Sequence, residues 1–166
     1  IMFSGRMIPR KGLETLIATL PKLTSTNRDW VLWIEGDGPK LGEYQELARE
    51  LGVINKCRFV GFCQFDIHGW LMCASDIVVV PSIEDSWGII VDEGLQLGKL
   101  VISSDAVGSG CDRVQSGVNG YIFPAGDVDK LGQVMTKIIN DDKLRIKVSK
   151  LAISNSKTII PRDNAR

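Results

Sequence analysis

Short apolar runs alternate with helix-like stretches along most of the chain, and this alternation limits the fold more than any other feature. The predicted strands are residues 1–4, 30–35, 57–60, 76–80, 100–103 and 121–123. The intervening stretches with apolar residues three and four positions apart are residues 13–23, 41–51, 67–73, 89–97 and 128–139. Repeated strand–helix units with right-handed crossovers build a parallel sheet. The sequence therefore predicts an α/β fold, a doubly wound, Rossmann-like parallel sheet covered by helices on both faces.

The length of the chain is suited to one hydrophobic core. Its 166 residues, 44% of them hydrophobic, predict a single domain over residues 1–166. The run Asp76-Ile77-Val78-Val79-Val80 is β-branched without polar alternation, which predicts a buried central strand. The chain opens inside a strand, and residues 162–166 resemble the first turn of a helix. We therefore expect an excised domain with a frayed tail after Asn155.

Charge and cysteine content narrow the classes of function. The 20 basic and 20 acidic residues cancel, so the basic footprint of a nucleic-acid-binding protein is absent. No apolar run reaches the roughly 20 residues that cross a bilayer, and no leader precedes Ile1. The four cysteines form no CxxC pair, which argues against a zinc or thioredoxin-like site. Three of the four lie in apolar or strand-like surroundings, which favours reduced, partly buried thiols. We expect a soluble, cytoplasmic protein without a metal.

The loop after the first strand places cations where ligands bind in such folds, beyond the carboxyl ends of the strands. It runs from Gly5 to Gly12 and contains Arg6, Arg10 and Lys11. Arg offers a planar fork for two oxygens and Lys a mobile point charge, so together they could neutralise a diphosphate. The alternative is an ordinary solvated basic turn.

The loop after the fourth strand, residues 81–88, leads into a predicted helix that carries Glu93. A helix that begins near Gly88 would offer free amides and a positive dipole end to an anion. Asp85 and Glu93 would flank the same pocket at different depths, and a carboxylate can accept both hydroxyls of a diol. The alternatives are helix capping by Glu84 and Asp85, and a solvated position for Glu93.

Two further turns and the single histidine carry weaker signals. Residues 105–112 are small and predict a flexible loop that backbone amides could bring close to a ligand, and residues 36–39 read Gly-Asp-Gly-Pro. The chain contains neither GxGxxG nor GxxxxGK[ST], which argues against a nicotinamide-binding domain and a P-loop nucleotidase. His68 lies between apolar residues of a predicted helix, so a structural or surface role is favoured over catalysis.

Taken together, these segments resemble the C-terminal donor-binding domain of the family 4 glycosyltransferases, retaining enzymes of the GT-B fold. Gly5-Arg6 with Lys11-Gly12 resembles the family's GR…KG element, and residues 36–39 resemble its GDGP turn. Residues 81–93 resemble its long PS…E…FG…E signature. Nearly the whole chain is covered by the likeness.

The chain departs from the family pattern at several positions of that signature. Asp85 stands seven residues before Glu93 in place of the usual glutamate, with Glu84 beside it as a substitute, and Trp87 replaces the common Phe. Gly94 follows Glu93 where Ala is usual, which should weaken the helix by up to about 1 kcal/mol.

The resemblance implies transfer of a hexosyl unit from a nucleoside diphosphate sugar, with retention at the anomeric carbon and without a metal or cofactor. The implied donor-binding residues are Gly5, Arg6, Lys11, Phe62, Cys63, Glu84, Asp85, Trp87, Gly88, Ile89 and Glu93. Arg6, Lys11 and the Gly88 and Ile89 amides would hold the diphosphate. Glu93 would bind the ribose diol and Asp85 the sugar hydroxyls, which makes Arg6, Lys11, Asp85 and Glu93 the implied catalytic set. Phe62 and Cys63 would lie near the base, and Trp87 would supply an aromatic floor.

The resemblance also implies a partner half that this sequence lacks. An N-terminal domain would bind a glycan or lipid acceptor, so the fragment alone should bind the donor without catalysis. The expected pathway is polysaccharide or lipopolysaccharide assembly, with any peripheral attachment to the inner membrane face made through the missing half. Three alternatives are a non-catalytic nucleotide-sugar-binding subunit of a split transferase, a nucleotide-sugar epimerase of the GT-B fold, and an unrelated flavodoxin-like domain.

Overall fold

A parallel sheet in the strand order β3-β2-β1-β4-β5-β6 organises the protein. This is seen in a computed structural model that describes residues 1–26 and 28–156. The strands are β1 Met2–Ser4, β2 Leu32–Glu35, β3 Cys57–Gly61, β4 Ile77–Val80, β5 Leu100–Ser104 and β6 Gly120–Phe123. All their pairings are parallel. The predicted doubly wound α/β fold is confirmed, and the bounds of most strands agree within two residues.

Helices connect the strands and cover both faces of the sheet. They are α1 Leu13–Leu23, α2 Leu41–Glu50, α3 Phe65–Ala74, α4 Ile89–Gln96, α5 Gly108–Arg113, α6 Val128–Asn140 and α7 Asp142–Ser156. One core cluster lies between the sheet and α1, α2 and α6, with Val148 of α7 among its members. The other joins the opposite face to α4, with Met72 of α3 and Ala152 of α7.

Adjacent residues of the central strands point into different cores. In β4, Val78 belongs to the cluster under α4 and Val79 to the cluster under α1 and α6. Each is at most 1% exposed. This arrangement explains the unbroken apolar run, because a strand covered on both faces has no side for polar residues. The predicted burial of this strand is therefore confirmed.

Two helices depart from the sequence prediction. Residues 108–113 form α5 where a flexible loop was expected, and the glycines of α5 approach other parts of the protein. A Cβ on Gly108 would lie 2.3 Å from the Ser86 carbonyl oxygen, and one on Gly110 would lie 2.3 Å from Ser103 Oγ. Helix α7 was not predicted either, and residues 157–166, which include the expected helix turn at 162–166, lie outside the described residues.

The thiols are free and differ in burial. Cys57 is buried, which raises the pKa of its thiol to about 11, and Cys63 is half-buried. Cys73 and Cys111 are exposed, so two of the four thiols are at least partly buried where three were expected. Among the helices of the described residues, none is both long and apolar enough to span a membrane.

Gly94 lies where helix α4 presses most closely on the sheet. A Cβ at this position would lie 2.9 Å from Val101 Cγ2 and 3.5 Å from Val78 Cγ2. Both valines are fully buried, so neither can swing away. The glycine that should weaken the helix therefore allows α4 to lie close to β4 and β5.

We expect Gly94→Ala to lower the free energy of unfolding by up to about 2 kcal/mol. The gain in helix propensity, about 1 kcal/mol, offsets only part of the roughly 1–3 kcal/mol cost of an extra methyl in a tight core. Gly42→Ala in α2 is the matched control, because its Cβ would meet nothing within 4 Å. Urea unfolding of both variants measures the difference. A Gly94→Ala protein more stable than the unmodified chain would contradict this account.

Candidate functional site

The loops after β1 and β4 are bonded to each other at the carboxyl edge of the sheet. The carbonyl oxygen of Arg10 accepts hydrogen bonds from the amides of Ile83, at 2.8 Å, and Glu84, at 3.3 Å. Gly12 has a φ of +68°, and a Cβ there would lie 1.8 Å from the Pro81 carbonyl oxygen. Only glycine fits this contact, which explains why the basic loop ends in Lys-Gly.

The loop after β5 is joined to the same assembly. The Asp85 amide donates to the Ala106 carbonyl at 3.0 Å, and the Gly108 amide donates to the Asp85 carbonyl at 3.1 Å. Ser109 Oγ donates to the Gly88 carbonyl at 2.7 Å. These bonds fix the backbone on both sides of the Asp85 side chain before any ligand binds.

A concavity that we call the cationic hollow opens between these loops. Its lining includes Gly5, Arg6, Arg10, Lys11, Ser82, Asp85, Gly88 and Ile89. Lys11 Nζ lies 2.5 Å from Asp85 Oδ2, and the two side chains are 22% and 14% exposed. Arg6 is exposed and has no ion-pair partner among the described residues. The hollow therefore presents three cations against one carboxylate.

The start of helix α4 also faces the cationic hollow. Gly88 caps the helix with a φ of +81° and lines the hollow together with Ile89 and Ile90. Amides in the first turn of a helix have no acceptor within the helix and carry its positive dipole end. Backbone donors and side-chain cations thus converge in one place, an arrangement that favours an anion such as phosphate.

A second concavity, which we call the Phe62 hollow, adjoins the first. It is lined by Ser4, Gly5, Arg6, Glu35, Gly36, Asp37 and Phe62, so it shares Ser4, Gly5 and Arg6 with the cationic hollow. Phe62 is 81% exposed. Burial, and second the Glu35 carboxylate, raise the pKa of the neighbouring Cys63 thiol. The two hollows form one groove along the carboxyl edge of the sheet.

Glu93 lies in α4 at a polar contact that includes two residues not predicted to belong to the site. His68 Nδ1 is 2.6 Å from Glu35 Oε2, and His68 Nε2 is 3.3 Å from Glu93 Oε2. Glu93 Oε2 is buried without an aligned hydrogen bond among the described residues. Glu35, which lines the Phe62 hollow, is only 5% exposed. The sequence offered one signal for Glu35, its position as a charged residue at the end of an apolar strand.

Among the predicted residues, the lining of the two hollows does not include Cys63, Glu84, Trp87 and Glu93. Glu84 is exposed, whereas Asp85 lies within the cationic hollow. Trp87 donates from Nε1 to Asp92 Oδ2 at 2.9 Å, and the Arg113 guanidinium lies 5.5 Å from its ring centroid. These contacts hold the Trp87 ring against Asp92 and Arg113.

Metal ligands are not clustered in the described part of the chain. No group of three or more His, Cys, Asp or Glu side chains there could hold a metal ion.

A known protein family matches the chain over most of its length. The model of the family described as "Glycosyl transferases group 1" matches residues 1–154. The chain belongs to the group 1 glycosyltransferases. Its strand order and helix layers are those of the C-terminal domain of the GT-B fold.

Named relatives of this group 1 glycosyltransferase chain include enzymes of lipopolysaccharide and lipid glycosylation. It is 30% identical over 149 residues to the lipopolysaccharide core biosynthesis glycosyltransferase LpsE of Rhizobium meliloti, covering 90% of this chain and 42% of the relative. It is 32% identical over 148 residues to the phosphatidyl-myo-inositol mannosyltransferase of Mycolicibacterium smegmatis, covering 87% of this chain and 37% of the relative. The chain thus spans 42% and 37% of the length of these two relatives.

Solved structures share the fold over almost the whole chain. Anabaena Alr3699/HepE in complex with UDP and glucose superposes with a TM-score of 0.83 at 25% identity, covering 94% of this chain and 43% of that one. The C-terminal domain of LpcC from Francisella tularensis gives a TM-score of 0.86 at 22% identity, covering 95% of this chain and 84% of that one.

Proposed function

We propose that the groove binds a nucleoside diphosphate sugar and presents it for retaining glycosyl transfer, as in the family 4 enzymes. The observation that carries the proposal is the continuity of the groove, in which an anion-binding end adjoins an end with an exposed aromatic ring and a carboxylate. A nucleoside diphosphate likewise has an anionic diphosphate at one end and a ribose and base at the other. The complex of Alr3699/HepE with UDP and glucose supports this assignment.

The diphosphate binds in the cationic hollow. Arg6, free of ion pairs among the described residues, donates to two of its oxygens. Lys11 uses one of its three N–H donors for Asp85 and has two left for phosphate. Gly88 and Ile89 donate their backbone amides. As the glycosidic bond breaks, negative charge grows on the leaving diphosphate, so these fixed donors stabilise the transition state more than the ground state and no metal is required.

Asp85 binds the hexose close to the reacting carbon. Its carboxylate is held by Lys11 on one side, and its backbone is fixed by the loop after β5. The second carboxylate oxygen accepts sugar hydroxyls, and the exposed Glu84 plays no part in this contact.

The nucleoside lies in the Phe62 hollow. Phe62 stacks on the base, with Cys63 beside it, and Glu93 accepts from the two ribose hydroxyls. Trp87 contributes by holding Asp92 and Arg113 at the start of α4.

The acceptor, a glycan or lipid, is bound by an N-terminal domain outside residues 1–166. This chain by itself binds the donor without transfer, because proximity of the acceptor supplies much of the rate. Relatives in lipopolysaccharide core synthesis support a role in polysaccharide or lipopolysaccharide assembly on the cytoplasmic side of the membrane.

Calorimetric titration of the chain with UDP, GDP and ADP, each with and without EDTA, tests the proposal. We expect one diphosphate to bind saturably and without sensitivity to EDTA. Glu93→Ala should weaken it by about tenfold or more, since a hydrogen bond to a charged group contributes about 1.5–3 kcal/mol. Glu84→Ala, a change in an exposed carboxylate outside the groove, is the matched control and should bind normally. Absence of binding by a folded chain, or full binding by Glu93→Ala, would contradict the proposal.

A further inference from the structure

His68 contacts two carboxylates, one at the end of a strand and the other in a helix. Glu35 ends β2, Glu93 lies in the second turn of α4, and the imidazole of α3 stands between them. The His68 side chain is 15% exposed and that of Glu35 is 7% exposed, so water competes weakly for the contact between them, whereas the Glu93 side chain is 33% exposed. The Cys63 thiol, after β3, lies on the Glu35 side, and Asp66 of the same helix is exposed.

The two ring nitrogens have unequal contacts. Nδ1 lies at the short distance of 2.6 Å from Glu35, whereas Nε2 lies 3.3 Å from Glu93 Oε2. A carboxylate accepts and cannot donate, so Nε2 must carry a proton for this second contact to be attractive. The cationic ring carries protons on both nitrogens and attracts both carboxylates at once. When the ring is neutral, Nδ1 keeps its proton for the closer Glu35, and the Nε2 lone pair faces Glu93.

We propose that His68 is a positioning residue for nucleotide binding: anchored by Glu35, it holds the Glu93 carboxylate in the orientation that accepts the ribose hydroxyls. The inference rests on the proposed function, in which Glu93 binds the ribose. It assigns to the Glu35–His68 pair a role in ribose binding that acts through the contact between His68 Nε2 and the Glu93 carboxylate.

Two substitutions separate the two nitrogens. His68→Gln places an amide N–H at the position of Nε2, and His68→Asn places one at the position of Nδ1. If His68 serves only to anchor α3 through Glu35, His68→Asn should be the milder change. If it positions Glu93, His68→Gln should be the milder change, because the glutamine amide N–H can still donate to the Glu93 carboxylate.

The experiment measures binding of UDP, or of GDP or ADP where the titration above selects it, against the corresponding 2′,3′-dideoxynucleoside diphosphate. The unmodified chain should favour the ribose form about tenfold or more. His68→Gln should retain most of this preference, and His68→Asn should lose it.

The outcomes separate this inference from the proposed function. The expected pattern supports it. Equal, unmodified preference in both variants, or loss in His68→Gln alone, would overturn the positioning role while leaving donor binding intact. A chain that binds UDP without preferring ribose would overturn both the ribose role of Glu93 and this inference. Absence of binding by all three diphosphates would overturn the proposed function itself.

Discussion

Replacing Arg6 with alanine should weaken UDP binding about tenfold to a hundredfold while leaving uridine binding nearly unchanged. Arg6 lines both hollows and is not held by another ion pair among the described residues, so its charge is available to phosphate. Charge-assisted hydrogen bonds contribute about 1.5–3 kcal/mol, and Arg makes two in parallel to phosphate oxygens. Calorimetry with UDP and uridine, or with the guanosine or adenosine pair if that base is selected, measures both affinities.

Arg49→Ala provides the matched control for Arg6→Ala. Arg49 is an exposed arginine in α2 that pairs with Glu46. Its loss should change neither affinity. Equal weakening of UDP and uridine by Arg6→Ala would contradict the diphosphate assignment and indicate a general disturbance of the groove.

In the complete transferase, we expect Asp85→Ala to lower turnover about a hundredfold or more, with UDP affinity unchanged or higher. The loss of turnover follows from the contact proposed between Asp85 and the reacting hexose. The affinity is maintained because the substitution removes the one carboxylate of the cationic hollow. It also frees Lys11, now 2.5 Å from Asp85, to make a third contact with phosphate.

Glu84→Ala is again the comparison, since it removes an exposed carboxylate from the preceding position. It should leave turnover within about twofold, because an exposed group outside the groove contributes little. Transfer by Asp85→Ala at the unmodified rate would refute the sugar contact. A parallel loss of UDP affinity would show instead that Asp85 is needed to hold Lys11 in place.

The central strands could be predicted because each is covered on both faces. Runs such as residues 77–80 must then be apolar throughout, and this pattern is visible without knowledge of the partners. Helix α5 could not be predicted, since its six residues begin Gly-Ser-Gly and are too few for a helical period. Helix α7 is largely polar along its length, with buried residues such as Val148 and Ala152 set among charged and polar positions.

The grouping of candidate residues was predictable where the residues lie close together in the same loop. Arg6 and Lys11 belong to one turn, and Asp85 and Gly88 to another, and the structure brings these four residues into one hollow. The contact of Glu35, His68 and Glu93 depends on three elements that are far apart in sequence, and no spacing rule relates them. Such contacts follow from strand order and side-chain direction, which a single sequence does not specify.

The hydrogen bonds among the loops after β1, β4 and β5 have a consequence for protein engineering. Hydrogen bonds through Arg10, Asp85 and Ser109 connect the three loops, residues 5–12, 81–88 and 105–109. The loops therefore have to be exchanged together, although they are distant along the chain. A chimera that replaces one of these loops by one of different backbone conformation would leave carbonyls of the other two loops without donors and amides without acceptors. Crossover points that alter donor choice should therefore fall before β1 or after β6, where the three loops move together.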